Sequence, residues 1–482
     1  MQLAVRFLAE VCRVIARTFL PASLFGSGDR LSHGGSRWAT HRERNLLGQL
    51  SRPHQLHPDG VVLGFLDKAV LQAPREDNVL MLGVQRSGKT SAVVVPTLLG
   101  WSGAVVATST KEELVRLTSR HRANSGPVWV FAPLDRDHSW LDPLGLRPAT
   151  WNPITDALTC GDAAELADHF TAEGKRGSSA HWYLAAANLL TGLIAFARES
   201  DGEMRSVLIE LNRTAQQEYL GLAAATEDKV ASDLLFAFAN TPDKEAGSIA
   251  STARSSLSLW IDERVALATM STEDGLDLDR LLDESGTLYL VAPAEEAERC
   301  RPLFSALLST LLRKATKRAR AQGGVLTPRL LLALDEAANF ARIPRLAGYA
   351  SSGPGQGIQL LLCYHDLAQI EAAYGPEEAR TIWNNCRARL LLPGQGDLKT
   401  LEQFSRSIGD ETRIYSTVQR DRGRSSTSEQ RTGRPLMTVD ELRRLSAAVL
   451  VYANAPPARV DLRRWDQVPA WRSLVGRTDL KP

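Results

Sequence analysis

Short apolar runs alternate with amphipathic stretches through the first third of the chain. Four of these runs have the length and composition of buried strands: VVLGFL (61–66), NVLMLG (78–83), AVVATS (104–109) and PVWVFAP (127–133). The segment KEELVRLTSRH, between the last two, has a helical pattern. This alternation of strands and helices predicts a parallel α/β sheet.

The pattern is helical from about residue 155 to residue 268, where strand signals are few. In the segment EAGSIASTARSSLSLW, apolar residues recur at spacings of four, four and three, on one helix face: Ile249, Ala253, Leu257 and Trp260. This region is therefore predicted to be an all-α insertion.

Strand-like runs return after the helical region. They are GTLYLVAP (286–293), RLLLALDEA (329–337), IQLLLCYH (358–365), RARLLLPG (387–394) and AVLVYAN (448–454). Several are apolar on both faces, as central parallel strands covered by helices must be. The predicted organisation is an N-terminal amphipathic helix and linker (1–35), the first part of the α/β domain (36–154), the all-α insertion (155–268) and the second part of the α/β domain (269–482).

One uncharged stretch, residues 91–110, is long enough to suggest a membrane span. Pro96, Gly100 and Gly103 interrupt it, however, and it starts inside a glycine-rich turn. The end of a buried helix followed by a buried parallel strand explains this stretch better.

The N-terminal residues 1–20 form a predicted amphipathic helix with charges along one stripe: Arg6, Glu10, Arg13 and Arg17. Those charges interrupt any spanning segment or signal-peptide core, so no transmembrane segment is predicted. The helix either docks on the protein or a partner, or lies at a membrane interface. We expect a cytoplasmic protein, held at the inner face of the cell membrane by a partner or by this helix.

The composition is that of an ordinary globular protein. The 482 residues are 44% hydrophobic and 23% charged, and the formal net charge of +2 does not by itself indicate nucleic acid. The five cysteines show no C-x-x-C pair and no zinc-ligand spacing. They are interpreted as free thiols in a reducing cytoplasm.

A phosphate-binding motif, GVQRSGKT, joins the strand NVLML to the following helix and satisfies G-x-x-x-x-G-K-[ST]. In such a loop, backbone N–H groups converge on phosphate oxygens at a helix N-terminus. The lysine is expected on the β and γ phosphates of ATP, and the threonine hydroxyl on Mg²⁺. The candidate nucleotide-binding residues are Gly83, Val84, Gln85, Arg86, Ser87, Gly88, Lys89 and Thr90.

The apolar strand RLLLALDEA ends in two carboxylates. Asp335 is the candidate Mg²⁺ ligand, together with Thr90, and Glu336 is the candidate base that activates the attacking water. A strand end capped by acids is common on its own. Its combination with the phosphate loop, across a helical insertion, predicts a nucleotide-hydrolysing motor.

The joint order of motifs resembles the TraG/TraD-type coupling proteins of conjugation, the coupling ATPases of type IV secretion systems. The similarity extends from about Ser36 to about Trp465. The motifs are GVQRSGKT, VFAPLDRDHSWLDPLGLRPATWNPI, EAGSIASTARSSLSLW, TLYLVAP, the segment from LLLALDEAANF to AQIEAAYG, and RPLMTVDELRRL. The resemblance implies a RecA-like P-loop ATPase domain interrupted by an all-α domain. It also implies a hexameric ring that recruits a DNA-relaxase complex and pumps single-stranded DNA.

Two positions depart from the pattern of that family. Its members usually carry arginine in an S-x-G-R-x-x-G turn, where this chain has Pro354, and glutamine in Q-D-L-x-Q, where it has His365. Loss of an essential arginine finger costs roughly 10³ to 10⁵ in rate. A neutral His365 still donates one hydrogen bond, so it joins Lys89 and Glu336 as a candidate catalytic residue that senses the γ-phosphate. Nucleotide binding is expected to survive these two changes better than ATP hydrolysis does.

Arg387 and Arg389 are candidates to replace the missing guanidinium by projecting toward a neighbour's nucleotide. Arginines at the end of a strand more commonly form ion pairs with nearby acidic side chains. Lys111 and Gln369 are further candidates for polar contacts at the nucleotide site.

A mixed ring, in which a sister ATPase supplies the arginine, would also reconcile the two departures with intact Asp335 and Glu336.

The candidate DNA contacts are basic segments that hold phosphates without reading sequence. They are the arginine-rich segment 419–434, interpreted as a mobile loop, and the GKRG turn at 174–177. Because 419–434 lacks aromatic residues, backbone contact is the only DNA role expected of it. A solvated surface is the common alternative for both.

Three functions are compatible with these features. The first is an ATP-dependent coupling protein that delivers DNA, or a DNA-relaxase complex, to a type IV secretion channel as a homo-hexamer or mixed hexameric ring. The second is an FtsK- or HerA-like double-stranded DNA pump, which the helical insertion disfavours. The third is a nucleotide-binding recruitment subunit with impaired hydrolysis, which Pro354 and His365 favour and the carboxylate pair disfavours.

Overall fold

The computed structural model describes residues 34–175, 180–213, 215–340, 342–421 and 424–475. The predicted N-terminal helix lies outside them, as do the last two residues of the 174–177 turn. The chain divides into a large unit, Trp38–Ile408 with Thr438–Pro482, and a small unit built around Gly409–Met437. The nucleotide chemistry predicted from the sequence falls entirely in the large unit.

A nine-stranded sheet forms the centre of the large unit, in the order β14-β13-β10-β4-β9-β8-β5-β7-β6. All neighbours from β10 to β6 pair in parallel, which confirms the predicted α/β class. The strands of the protein are β1 Gln49–Ser51, β2 Val61–Leu66, β3 Ala69–Ala73, β4 Val79–Leu82, β5 Ala104–Ser109, β6 Val128–Phe131, β7 Thr287–Val291, β8 Leu330–Leu334, β9 Ile358–Tyr364, β10 Ala388–Leu391, β11 Asp410–Asp421, β12 Arg424–Pro435, β13 Ala448–Tyr452 and β14 Ala458–Val460.

The central strands are buried on both faces because helices cover the sheet on each side. Every residue of β4, β5, β7, β8 and β9 is buried. AVLVYAN forms β13 as a strand, but it pairs antiparallel with β10 and carries β14 at the sheet edge. An apolar run alone does not reveal strand direction, since both arrangements bury the same side chains.

VVLGFL is also a strand, but it lies outside the nine-stranded sheet. It forms β2 of a separate three-stranded antiparallel sheet in the order β1-β3-β2. The pairing of β2 with β3 shifts register between Val62 and Gly64. The two further strands of this small sheet were not predicted. β1 has three residues in a polar, turn-rich stretch, and β3 is apolar but has only five residues.

Helices fill both faces of the sheet and the region between β6 and β7. They are α1 Val95–Gly100, α2 Glu113–Arg122, α3 Cys160–Thr171, α4 Ala180–Glu199, α5 Met204–Arg213, α6 Tyr219–Ala225, α7 Lys229–Ala239, α8 Asp243–Ser256, α9 Glu263–Ala268, α10 Leu278–Asp283, α11 Ala294–Ala321, α12 Ala337–Phe340, α13 Leu346–Ser352, α14 Leu367–Tyr374, α15 Pro376–Asn385, α16 Leu398–Ile408, α17 Val439–Arg443 and α18 Pro469–Val475.

Helices α3 to α9 occupy the region predicted to be helical. The four residues assigned to one face, Ile249, Ala253, Leu257 and Trp260, are all buried. Trp260 packs edge-on against Phe170 of α3 with ring centroids 4.9 Å apart. The indole N–H donates to the Thr269 hydroxyl at 2.9 Å, so this large side chain is satisfied inside the helical core.

Among the described residues, one helix has the length and composition of a membrane span, α4. Of its most apolar window, 56% is buried inside the protein, against α3, α7 and α8. A core helix of a bundle has this character. The uncharged stretch at 91–110 forms the start of a helix, α1 and the buried strand β5, as predicted.

The prediction of a mobile loop at 419–434 is wrong. Residues 410–421 and 424–435 form a two-stranded antiparallel ribbon, β11 and β12, in the small unit. The segment lacks the apolar alternation that signals a half-buried strand, and the pairing here rests on backbone hydrogen bonds across the ribbon.

Candidate functional site

The predicted site residues meet at the carboxyl edge of the parallel strands. Gly83 follows β4, and its N–H donates to the Tyr364 carbonyl at the end of β9, at 3.1 Å. Asp335 follows β8, the neighbour of β9. Because parallel strands end at the same edge, the phosphate loop, the two acids and His365 are brought to one place.

The phosphate loop needs glycine at two positions for different reasons. A side chain at Gly83 would lie 2.7 Å from the Ser87 hydroxyl and 2.8 Å from Cβ of Leu392. Gly88 has φ +92°, a conformation that other residues rarely adopt. Arg86, at φ +63°, also adopts the left-handed region. The turn closes through the Ser87 hydroxyl, which donates to the Val84 carbonyl at 2.7 Å.

A helical segment starts directly after Lys89, as a phosphate site requires. Thr90–Val94 is a π-helical turn that continues into α1. The free N–H groups at such a start, together with the helix dipole, favour an anion. The Lys89 side chain is buried and its ammonium donates to the carbonyls of Gly83 and Val84, so it lies inside the loop.

Asp335 and Thr90 are in direct contact, although 245 residues separate them in sequence. The Thr90 hydroxyl donates to Oδ2 of Asp335, and the Thr108 hydroxyl donates to the Asp335 backbone carbonyl at 2.7 Å. Burial raises the pKa of Asp335 above its ordinary value, opposed by the Thr90 hydroxyl and the Lys89 charge.

The contact between Asp335 and Thr90 has the chemistry of a magnesium site. Oδ1 of Asp335 is buried and has no hydrogen-bond partner among the described residues. A carboxylate and a hydroxyl are hard oxygen ligands, which Mg²⁺ prefers. No cluster of three or more histidine, cysteine or acidic side chains occurs in the described part of the chain. One carboxylate fits Mg²⁺, which is usually held by one or two carboxylates and by substrate phosphates.

Glu336 has an unusual backbone conformation, with φ +52°. Such strain occurs where surrounding structure holds a functional side chain in place. Its Oε2 accepts a hydrogen bond from the Asn339 side-chain amide at 3.3 Å, and the Asn339 backbone N–H donates to the Glu336 carbonyl at 2.9 Å. Glu336 is only half-buried, so its carboxylate remains accessible beside buried Asp335.

His365 is positioned by its backbone. Its N–H donates to the Gln369 side chain at 2.9 Å, and its carbonyl accepts from the Gln395 amide at 2.7 Å. Nε2 is buried with no hydrogen-bond partner among the described residues. Gln369, predicted to be a polar contact at the site, thus orients the histidine backbone.

Two neighbours of the site were not predicted. Gln395 follows β10 at the same edge, and the glycine-rich turn PGQGD after an apolar strand was the available signal. Cys363 is fully buried on β9, close enough to interact electrostatically with Asp335 and Lys89, and burial raises its thiol pKa well above the ordinary value. It is an uncharged packing residue beneath the site.

The positions considered for an arginine finger lie at the opposite edge of the sheet. Pro354 comes before β9 and Arg387 before β10, at the amino ends of these parallel strands. Arg387 pairs with Asp77 at 3.2 Å, which is the role considered more common for it. Arg389 packs over the Trp383 ring at 5.1 Å. None of the three is at the phosphate loop of its own chain.

Lys111 lies after β5, at the carboxyl edge, and is exposed. Its backbone N–H donates to the Ser109 hydroxyl oxygen at 3.2 Å. The side chain lines a hollow with Glu112, Arg116 and Asp135. This hollow is formed by different residues from those of the Lys89 and Asp335 site.

The chain is similar over most of its length to proteins of conjugation. It is 27% identical over 467 residues to the conjugal transfer protein TraG of Escherichia coli, a match that covers 86% of this chain and 71% of TraG. It is 24% identical over 461 residues to the protein VirD4 of Rhizobium rhizogenes, covering 90% of this chain and 65% of VirD4.

The fold is that of a conjugative coupling protein of known structure. TrwBΔN70 superposes with a TM-score of 0.66 at 18% identity, covering 92% of this chain and 99% of that structure. TrwB in complex with ADP and Mg²⁺ superposes with a TM-score of 0.65 at 19% identity, covering 92% and 98%. The family described as type IV secretory system conjugative DNA transfer matches residues 39–465. The chain therefore belongs to this family, the conjugative coupling proteins of type IV secretion.

Proposed function

We propose that this protein uses ATP and Mg²⁺ to pump single-stranded DNA, with any attached relaxase, into a conjugative type IV secretion channel. The observation that carries the proposal is the contact between Thr90 and Asp335, beside a lysine that lies inside a phosphate loop. Family membership supports DNA as the cargo. The complex of TrwB with ADP and Mg²⁺ supports the choice of nucleotide and metal.

Each side chain at the site has a role that follows from its position. Lys89 exchanges its two carbonyl partners for the β and γ phosphates, because a phosphate is a stronger acceptor for an ammonium than a carbonyl. Thr90 and Asp335 hold the metal, which when bound neutralises charge on the phosphate oxygens. Glu336 orients and deprotonates the attacking water.

His365 is the proposed γ-phosphate sensor. Its ring nitrogen Nε2 has no protein partner among the described residues and belongs to the residue directly after β9, next to the strand of the phosphate loop. Gln369 and Gln395 hold the backbone on both sides of this position. A change in γ-phosphate occupancy would therefore be transmitted to α14 and to the turn after β10.

The positive charge missing at Pro354 is proposed to come from a neighbouring subunit. Pro354 and Arg387 lie at the amino edge, away from the chain's own phosphate loop. A charged side chain at this edge can therefore contact only a nucleotide that is bound by another copy or by a sister ATPase. In a homo-hexamer the charge would come from Arg387, because every copy has Pro354; in a mixed hexameric ring a sister ATPase would supply it. The ring is proposed to stand at the inner face of the cell membrane, held by secretion components or by the N-terminal segment.

A second candidate function is a recruitment subunit that binds nucleotide with impaired hydrolysis. Pro354 and His365 favour it, because both replace groups that assist phosphoryl transfer. Asp335 and Glu336 oppose it, since the strained conformation of Glu336 has no evident purpose without hydrolysis.

The deciding measurement is ATP turnover by the full chain with and without single-stranded DNA. The motor predicts stimulation by DNA and a loss of at least about 10²-fold in Glu336→Gln, the usual contribution of a general base. Glu402→Gln, an exposed acid on α16, is the matched control and is expected to keep wild-type turnover. A protein that binds ATP but turns over only after Pro354→Arg is instead the recruitment subunit.

A further inference from the structure

Arg387 and Asp77 form an ion pair of unequal burial at the amino edge of the sheet. Arg387 lies directly before β10, and Asp77 lies two residues before the neighbouring strand β4. Nε of Arg387 is 3.2 Å from Oδ1 of Asp77. The Arg387 side chain is 60% exposed, whereas the Asp77 side chain is 5% exposed. The acid therefore belongs to the interior, and the guanidinium group lies at the surface.

The strands that flank this pair fix the position of Asp77. Its backbone carbonyl accepts from the Gln359 side-chain amide of β9 at 2.7 Å, and the Tyr452 hydroxyl of β13 donates to Oδ2. Burial raises the pKa of Asp77, and the Tyr452 hydrogen bond and the Arg387 charge oppose this shift. A buried carboxylate with both oxygens engaged is a fixed partner for the Arg387 side chain.

The Arg387 guanidinium group keeps most of its donors. Its closest approach to Asp77 is through Nε, and among the described residues the side chain forms no other ion pair or hydrogen bond. A guanidinium group has five N–H donors in a planar fork that matches phosphate oxygens. A side chain with this exposure and a single carboxylate partner can therefore meet a phosphate without breaking its own ion pair.

The other arginines described at the amino edge lack this arrangement. Arg329 is half-buried, and its Nη2 donates to the carbonyls of Arg75 and Pro354 at 3.1 and 2.9 Å. Arg389 is also half-buried. Arg75 is exposed, but its side chain forms no hydrogen bond or ion pair with the described residues. Of these four, Arg387 combines exposure with a fixed anchor.

We propose that Asp77 is a positioning residue, which orients the Arg387 guanidinium group toward the γ-phosphate of a nucleotide bound by the neighbouring subunit. The inference rests on the proposed function, in which a neighbour supplies the charge missing at Pro354. By holding Nε, Asp77 restricts the rotamers of a long side chain before the phosphate arrives, so less side-chain entropy is lost on contact. An oriented guanidinium group stabilises the negative charge that develops on the transferred phosphoryl group.

The test is steady-state ATP turnover by the full chain with single-stranded DNA. Arg387→Gln is expected to lower kcat about 10³-fold, the lower end of the loss caused by removing an arginine finger. Asp77→Asn is expected to lower kcat about 10²-fold through misplacement of the guanidinium group, with the KM for ATP unchanged because the phosphate loop is intact. Adding Asp77→Asn to Arg387→Gln is expected to lower kcat no further, since Asp77 acts only through Arg387.

Asp77→Asn changes a buried group, so Tyr452→Phe is the second variant. It leaves Asp77 and Arg387 in place and removes one hydrogen bond to the carboxylate. We expect kcat to fall about tenfold, the loss of one hydrogen bond to a charged group. The same change added to Arg387→Gln is expected to have no further effect on kcat.

Arg406→Gln on α16 is the matched control, because its side chain is 79% exposed and it removes the same charge. Arg75→Gln removes a charge at the amino edge itself, and both controls are expected to keep wild-type turnover. Equal losses from Asp77→Asn and Tyr452→Phe with and without Arg387 would show a structural role and overturn the proposal, as would wild-type turnover in Arg387→Gln. In either case, DNA-stimulated turnover that Glu336→Gln abolishes would leave the motor proposal standing.

Discussion

Two threonines determine where the Asp335 carboxylate lies. Thr90 donates to its side chain and Thr108, the buried fifth residue of β5, donates to its backbone carbonyl. The second contact crosses from β5 to the end of the neighbouring strand β8. It therefore fixes the turn from which both Asp335 and Glu336 project.

Thr108→Val tests this positioning, because valine has the same shape without the hydroxyl. We expect a loss of about 1 kcal/mol in the free energy of unfolding, measured by urea denaturation. We also expect weaker Mg²⁺-dependent ADP binding, since the Asp335 backbone carbonyl loses the hydrogen bond from Thr108 that holds it in place. Thr171→Val is the control, because that hydroxyl bonds within its own helix α3. Equal nucleotide affinity in Thr108→Val and wild type would show that Thr108 contributes only to core packing and does not position Asp335.

At the level of secondary-structure elements, single polar side chains join helices to strands. Arg122, at the end of α2, is fully buried and bonds to four acceptors from two segments, 101–103 and 285–287. They are the carbonyls of Trp101, Gly103 and Ser285 and the hydroxyl of Thr287. A planar group with five donors meets these acceptors at once, which a lysine cannot do. Helix α2 is thus anchored at the starts of β5 and β7.

Asp262 performs a similar role between α9 and α11. It caps α9 through the Arg264 N–H and accepts from the Arg264 and Arg299 guanidinium groups. The Arg264 hydrogen bond is the main cause that lowers the pKa of Asp262 to about 2. Because the folded pKa is below the ordinary 3.8, this stabilisation is present above pH 3.8 and is lost as the pH falls through about 2.

Asp262→Asn is expected to lower the free energy of unfolding by about 1 kcal/mol at pH 7, after allowance for solvent screening. Asparagine keeps the N-cap, so the charge alone is removed. The difference from wild type should narrow as the pH is lowered from 4 toward 2, in denaturation curves taken across that range. Asp228→Asn, at the N-cap of α7, is the control. A difference that does not change with pH would contradict the ion-pair explanation.

In the molecule as a whole, the parallel sheet separates two kinds of chemistry. Its carboxyl edge carries Lys89, Asp335 and Glu336, and its amino edge carries Pro354 and Arg387. A ring that joins the amino edge of one copy to the carboxyl edge of the next would complete each site with a neighbour's residues. Turnover would then depend on the assembly.

Mixing subunits tests this dependence. Wild-type protein mixed with Glu336→Gln at constant total concentration is expected to lose ATP turnover faster than the wild-type fraction falls, because a copy that holds uncleaved ATP keeps its amino edge fixed at the neighbour's site. Arg406→Gln subunits replace Glu336→Gln in the control and should leave turnover unchanged. Turnover that falls in direct proportion to the wild-type fraction would indicate independent sites.

Much of this protein follows from local sequence. The strand-loop-helix order around GVQRSGKT, the acids after RLLLALDEA and the helical region all depend on residues close together in the chain. Apolar periodicity and glycine spacing report such local structure directly. The α/β class, the family and the residues proposed for nucleotide chemistry could therefore be predicted.

Tertiary structure alone decided which strands are neighbours and what the side chains contact. Two pairs join strands that are adjacent in sequence, β2 with β3 and β11 with β12; they were missed because β3 is short and the ribbon lacks apolar alternation. The antiparallel direction of β13 was not predictable, because its partner β10 lies far from it in sequence. The same reason applies to Thr108 on the Asp335 carbonyl and to Gln395 on the His365 carbonyl. A periodic pattern shows that a strand is buried, but only the pairing of distant segments determines its neighbours.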